Sequence, residues 1–412
     1  MRTRTTTAVC CAALAVLHGC ACDTVPSTAL QDCSALQVQP GAVQTDILFV
    51  IDDSGSMAEE QANLAANLRA FIDTLAASPV QNEFRIAVTN TSVEGYLASE
   101  QSYTGGPSRL VPYPDGSLLA VAQVNALGVA GRYVYDTILY PQSGGWGGNR
   151  ILDAGAPSLV QDFKANVLVG TSGSGREQPF RAAQLALTDR LAVANAGFLR
   201  PGARLAIIIL SDEDDCSGPV SPLVAGNNQC HDLAVKNNPA LLTSIADFVT
   251  FLDGPIDGEL RQATVGVIGG LSPLTLAPSC ATCANKDCLT ALDGGDRFTQ
   301  LMTALGPNRM RLGSICDTSF AQTLAEFAQV LMPTTMPLKG APADWRMLAV
   351  KLTRASGQVV ACSVALDGTP AATTADAVYR PPAGDAPASI SFHNACQLGV
   401  GDAIDVSVVC AG

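Results

Sequence analysis

The stretch Asp46–Met57, DILFVIDDSGSM, decides the fold. Ile47 to Ile51 is an apolar run without a charge, the pattern of a strand buried on both faces as in a parallel sheet. It runs straight into a loop of small oxygen-bearing residues. In open α/β sheets the binding site lies beyond the carboxyl ends of the strands, so the candidate site begins at Asp52. Asp52, Ser54 and Ser56 form a D-x-S-x-S pattern with Gly55 between the serines. One carboxylate and two hydroxyls are hard donors, suited to Mg2+, Mn2+ or Ca2+. The same residues also suit a capped strand-to-helix turn without metal.

Downstream, helix and strand patterns alternate. Leu64, Leu68, Phe71 and Leu75 recur at helical spacing behind Glu59 and Glu60, whose charges suit a helix amino terminus. Phe84 to Val88, Leu205 to Leu210, Ala263 to Ile268 and Met310 to Ile315 read as strands. Helices are expected over Pro179 to Leu191, with proline in the first turn, and over Leu241 to Leu252 and Phe298 to Leu305. Phe320, Leu324, Phe327 and Leu331 mark a last one. The alternation predicts an α/β fold over residues 44–332, a doubly wound, mostly parallel sheet with helices on both faces. Insertions fall at about residues 92–150, 213–239 and 271–296. Beyond Pro333 the period changes to two, in Leu348, Val350 and Leu352 and in Ile404, Val406 and Val408. Residues 333–412 are therefore expected to form a small antiparallel β module, stapled by disulfide.

The amino terminus reads as an export signal over residues 1–19: Arg2 and Arg4 precede an apolar run, Ala8 to Leu17, shorter than the ~20 residues of a membrane span. Leu17-His18-Gly19-Cys20 resembles a bacterial lipobox, which makes Cys20 the lipidated first residue of a flexible tether over residues 20–43. Ordinary cleavage near Gly19 or Ala21 is the alternative, giving a periplasmic or secreted protein. The expected location is the outer membrane or cell surface, with lipid as the sole membrane attachment. The formal charge of −13 becomes −15 without Arg2 and Arg4, which gives no electrostatic basis for binding nucleic acid.

Of fourteen cysteines, eleven lie beyond Cys20, a load that suits disulfides in an oxidising compartment. Cys216 and Cys230 are a candidate pair. Cys280-x-x-Cys283 is also half of a structural zinc pattern, but no second C-x-x-C follows and Cys288 breaks the spacing. In the insertion after Ser92 lie six of the seven tyrosines, together with Trp146. Tyr133, Tyr135 and Trp146 are candidate partner-binding residues; the competing reading is that a long insertion needs bulky side chains to pack itself down.

From Gln44 to Met332 the chain resembles a von Willebrand factor type A domain carrying a metal-ion-dependent adhesion site. The resemblance rests on Asp52-x-Ser54-x-Ser56 and on Asp212, which follows a buried strand in LAIIILSDEDD. The middle loop, VGTSGSGREQPFRAAQLAL, departs from the family. Counting back from Ala183, Leu185 and Leu187 puts Glu177 where the family has threonine, while Thr171, Ser172 and Ser174 lie earlier in the same loop. The resemblance implies serines on the metal, aspartates acting directly or through water, and a partner's carboxylate completing the octahedron. Mg2+ is the expected ion, with Mn2+ or Ca2+ as alternatives.

The implied function is metal-dependent binding of a protein or glycan at the cell envelope. A structural envelope component, in which the cation only holds the loops, is the other class. Asp214 and Asp215 read as a solvated loop. Enzyme chemistry lacks its parts. Gly170-x-x-x-x-Gly175 is followed by Arg176 and Glu177 in place of the phosphate-binding lysine and hydroxyl, Ser54 replaces the second aspartate of an aspartyl nucleophile motif, and His231 and His393 have no G-x-S-x-G partner.

Overall fold

The computed structural model describes residues 39–96, 110–112, 149–171, 177–192, 195–218, 241–261, 263–271 and 291–408. Cys20, Tyr133, Tyr135, Trp146, Ser172, Ser174 and the cysteines at 230, 280, 283 and 288 lie outside the described residues.

The apolar run opening the sequence forms β1 (Val43–Ile51), leading through the Asp52 loop into α1 (Ala58–Ala76) and then β2 (Asn82–Asn90). There follow β3 (Ile151–Asp153), α2 (Leu159–Asn166), α3 (Pro179–Ala186), β4 (Arg204–Leu210) and α4 (Ile245–Asp253). The region closes with β5 (Thr264–Gly269), α5 (Asp296–Leu305), β6 (Met310–Ser314) and α6 (Ala321–Leu331). The strands make one six-stranded sheet in the order β6-β5-β4-β1-β2-β3. Five run parallel. The edge strand β3, supplied by the end of the long insertion, pairs antiparallel with β2 and covers its open edge. The protein is thus mixed α/β, and its central sheet is mixed, parallel as expected except at the edge strand β3.

Alternation along β1 divides the core. Ile47, Phe49 and Ile51 pack with α1, α2 and α6 on one face, and Leu48 and Val50 with α3, α4 and α5 on the other. Phe49 meets Phe71 and Phe163 edge-on at 5.8 and 4.7 Å between ring centroids. On the opposite face Phe180 stacks on Phe248 at 4.2 Å. Gly266 in β5 lets α6 lie directly on the sheet, because a Cβ there would come within 2.8 Å of the Phe327 ring. At the foot of β1, Asp46 is fully buried and held by Arg200 through its backbone N–H and its Nε, both at 2.7 Å.

Two expected helices are shorter than their patterns. The one beginning at Pro179 stops at Ala186, where the Asn195 side chain takes the Ala186 carbonyl at 3.0 Å and Thr188 Oγ1 turns back to the Gln184 carbonyl at 2.6 Å. The helix expected from Leu241 starts at Ile245, because Ser244 caps it by accepting from Asp247 N at 3.1 Å.

The last eighty residues fold around their own core. β7 (Thr335–Lys339), β12 (Ser389–Phe392), β11 (Ala377–Arg380) and β10 (Val364–Leu366) lie in one sheet, and β9 (Val359–Cys362), β8 (Leu348–Thr353) and β13 (Ala403–Val408) in another. Pairing is antiparallel except between β10 and β11, whose connection crosses over through a 3-10 turn at Pro370–Thr373. That crossover corrects the expectation of a wholly antiparallel module. Cys362 and Cys396 form a disulfide across it. Gln39 and Pro40, at the end of the expected tether, pair with Lys339 and Leu338 and add a short strand to the first of these sheets.

Candidate metal centre

The register of the central strands builds the site. Ile51 lies level with Asn90 of β2 on one side and with Leu210 of β4 on the other. The next residue of each strand, Asp52, Thr91 and Ser211, therefore emerges at one carboxyl edge. Backbone bonds continue the ladder there: Thr91 N donates to Ile51 O at 3.1 Å, Asp52 N to Leu210 O at 2.9 Å and Ser211 N to Ile268 O at 3.1 Å. Strand order reverses between β1 and β4, the position at which open sheets leave a crevice.

Asp52 is fully buried and fixed on both oxygens. Oδ1 accepts from Ser54 N at 2.8 Å and Oδ2 from Ser211 Oγ at 2.6 Å. Its main-chain carbonyl takes Gln61 Nε2 at 2.8 Å, and the same nitrogen reaches Gly170 O at 2.8 Å, tying α1 to the middle loop. Ser54 Oγ and Ser56 Oγ lie 3.4 Å apart; Ser54 is buried while Gly55 and Ser56 are exposed. Asp212 is fully buried, and among the described residues neither of its carboxyl oxygens has a hydrogen-bond partner.

Glu177 lies in the same place. It is fully buried, its Oε2 accepts a short hydrogen bond from the Thr91 hydroxyl, and its Oε1 has no partner among the described residues. Its backbone is pinned on both sides, by Gln178 N to Thr91 O at 3.1 Å and by Cys216 N to Glu177 O at 2.6 Å. Of the other middle-loop candidates, Thr171 is exposed.

These acids raise one another's proton affinity. Burial pushes the Asp212 carboxyl up to about 8, with repulsion from Asp52 adding to it and the nearby Ser56 hydroxyl opposing it. Burial also lifts Glu177 well above the ordinary carboxylate range, followed by repulsion from Asp52, Glu213 and Asp53. Asp52 is raised by burial against the hydrogen bonds from Ser211 and Ser54. Glu60, in the first turn of α1, is raised by burial too, and its Oε2 is buried without a partner among the described residues. A buried cluster of acids with orphaned oxygens is expensive unless a cation supplies the missing charge. The donor set fits a hard divalent ion. Among the described residues no three His, Cys, Asp or Glu side chains are gathered as a ready cage. The arrangement combines carboxyls with hydroxyls instead.

Residues that sequence reading missed complete the surroundings. Asp53 points away from Asp52 and is held by Ser92 Oγ and Asn90 Nδ2, each at 2.6 Å. Burial, opposed by the Ser92 bond and reinforced by Asp52, brings it to about 7. Thr91 and Ser211 carried one usable signal, as hydroxyl residues directly after an apolar strand.

Asp214 and Asp215 are not a solvated loop but are buried. Asp214 accepts from Arg297 N at 3.1 Å, in the first turn of α5. Asp215 pairs with the buried Arg297 guanidinium at 2.9 Å and caps α3 by accepting from Phe180 N at 3.1 Å. Their charge is spent on positioning two helices. Cys216 is disulfide-bonded, as is Cys316, while Cys230 lies outside the described residues.

No family model matches the chain, and no curated protein matches it. Among solved structures it is similar to proximal thread matrix protein 1 from the mussel byssus, at 12% identity and a TM-score of 0.31, over 72% of this chain and 50% of that one. It is also similar to the pilus adhesin SpaC from Lactobacillus rhamnosus GG in its open conformation, at 12% identity and a TM-score of 0.36, over 90% of this chain and 39% of the adhesin. Another structure of the mussel protein carries a zinc-occupied MIDAS motif and is 10% identical. The chain spans half or less of the length of these proteins. None superposes closely enough to transfer a residue's role.

Proposed function

We propose that residues 44–332 form a doubly wound domain of the von Willebrand factor A type that binds a divalent cation through Asp52, Ser54, Ser56, Glu177 and Asp212. The observation that carries this reading is the Asp212 carboxyl, fully buried near Asp52 with neither oxygen satisfied among the described residues. Mg2+ is the favoured ion, with Mn2+ and Ca2+ the other candidates, because all donors are hard oxygens. The ion, when bound, supplies a positive centre that neutralises the acids and attracts oxygen ligands. The chain's own residues orient it: Ser211 and Ser54 N fix Asp52, and Thr91 fixes Glu177.

The function is metal-dependent binding of a protein or glycan partner at the cell envelope, by an exported protein anchored through lipid on Cys20, and not catalysis. Burial of Asp52, Ser54, Glu177 and Asp212 favours a second reading, in which the ion only secures the loops. Calorimetric titration of Mg2+, Mn2+ and Ca2+ into the mature protein and its Asp52→Ala variant tests the site. Binding by the parent and its loss in D52A is the expected result, and a parent indifferent to all three ions refutes it. Partner capture from envelope extracts that survives D52A selects the structural role. Mass spectrometry of the mature amino terminus should find a diacylated or triacylated Cys20, and an unmodified terminus rules out the anchor.

A further inference from the structure

We infer that Glu177 closes the cation site from within: its pinned and buried carboxylate, standing beside Asp52, fills the place that a partner's carboxylate would otherwise take. The inference rests on the cation-binding reading above and narrows it to a site that does not capture acidic groups.

Three features carry it. First, Glu177 is not a mobile surface acid. Its backbone is tied to Thr91 and Cys216, its Oε2 is taken by the Thr91 hydroxyl, and only Oε1 is left over, buried and without a partner among the described residues. An oxygen placed this way has lost its water, and its charged form there calls for a cation in place of the proton. Second, the charge count is already full. Asp52, Glu177 and Asp212 set three negative charges against a dication, and the strongest charges facing Glu177 are the acids Asp52, Glu213 and Asp53. A fourth carboxylate arriving from outside meets net repulsion instead of an exposed positive centre. Third, among the described residues of the site, Ser56 and its neighbour Gly55 are the exposed ones. A partner reaching the described part of the site therefore meets a backbone and a hydroxyl, with the position Glu177 takes no longer available to it.

The test uses Mn2+ as the probe on the mature protein, the Glu177→Thr variant and the Glu177→Gln variant. Calorimetry gives affinity, and water-proton relaxation with added acetate gives the exchangeable positions on the bound ion. The parent is expected to bind Mn2+ with a relaxation signal that acetate leaves unchanged. E177T should bind Mn2+ about tenfold or more weakly, gain an exchangeable water and lose it to acetate. A parent whose bound Mn2+ already takes acetate, or an E177T protein of unchanged affinity and hydration, overturns the closure while leaving cation binding intact. A parent that binds no Mn2+ removes both readings together. Circular dichroism checks folding; should E177T fail it, E177Q keeps the shape without the charge, and an unchanged Mn2+ affinity there overturns the inference equally.

Discussion

The Ser211 hydroxyl donates to Oδ2 of Asp52 at 2.6 Å, joining the loop after the first strand to the loop after the fourth. The same oxygen atom of Ser211 accepts from Glu213 N at 3.2 Å and lies 2.9 Å from Glu213 O, so it shapes the turn that carries Asp212. Removing it strips a buried carboxylate of a donor and loosens that turn. Ser211→Ala should lower unfolding stability by about 1.5–3 kcal/mol and weaken cation binding about tenfold. Urea denaturation and calorimetric titration check the two arms; an unaltered midpoint and affinity would show the bond to be incidental.

Acid titration should favour the metal-free fold. Asp53 at about 7 and Asp212 at about 8 hold protons in the folded state that the unfolded chain, near 3.8, has already released. The folded form binds more protons across that interval, so unfolding free energy falls as pH rises from about 4 to about 8. In chelator the melting temperature should therefore be higher at pH 5.5 than at pH 8. Saturating Mg2+ should remove that slope, because the ion takes over the charge. A chelated protein that becomes more stable toward pH 8 contradicts this account of the site.

Arg297 and Asp215 are both buried, and their pairing holds α5 against the loop that caps α3. Arg297→Met leaves the Asp215 charge uncompensated in the core and should cost about 3–5 kcal/mol. The double variant Asp215→Asn with Arg297→Met should cost less than the sum of the single changes. Additive losses in urea melts would mean that the two residues act separately.

Cys362 and Cys396 close a loop across the crossover module, at a sequence separation of 34. Serine at either position should cost about 2–4 kcal/mol, felt in the module's own unfolding. Limited proteolysis under non-reducing conditions should cut within residues 355–400 of the variant before the sheet of the larger domain; equal resistance of parent and variant would argue against a stabilising bridge.

What the sequence disclosed depended on distance along the chain. Asp52, Ser54, Ser56 and Asp212 could be picked out as candidates because they lie in the polar loops that begin where two apolar strands end, and strand followed by polar loop is a local signal. Glu177 could be placed by counting back from the apolar positions of the helix behind it. Thr91 and Ser211 offered in sequence only a hydroxyl after an apolar strand, since their roles come from Ile51 lying level with Asn90 and Leu210, a fact of sheet register. Asp214 and Asp215 were misread for the same reason. Two adjacent acids look solvated until the arginine 82 positions later is seen against them. The parallel pair of β10 and β11 hid behind a connection short enough to suggest a hairpin, because Pro370–Thr373 coils it across in a small space.

The pairing of Gln39 and Pro40 with Leu338 and Lys339 gives the molecule a mechanical polarity. The chain enters at the foot of β1, and the acids sit at its head, nine residues or about 30 Å further on. A pull applied between the start of the strand and the Asp52 loop would run lengthwise down β1. That strand is flanked on both sides by parallel neighbours, β2 and β4, so the pull loads their hydrogen bonds sideways and all at once. Such a ladder yields by sliding rather than by unzipping rung by rung.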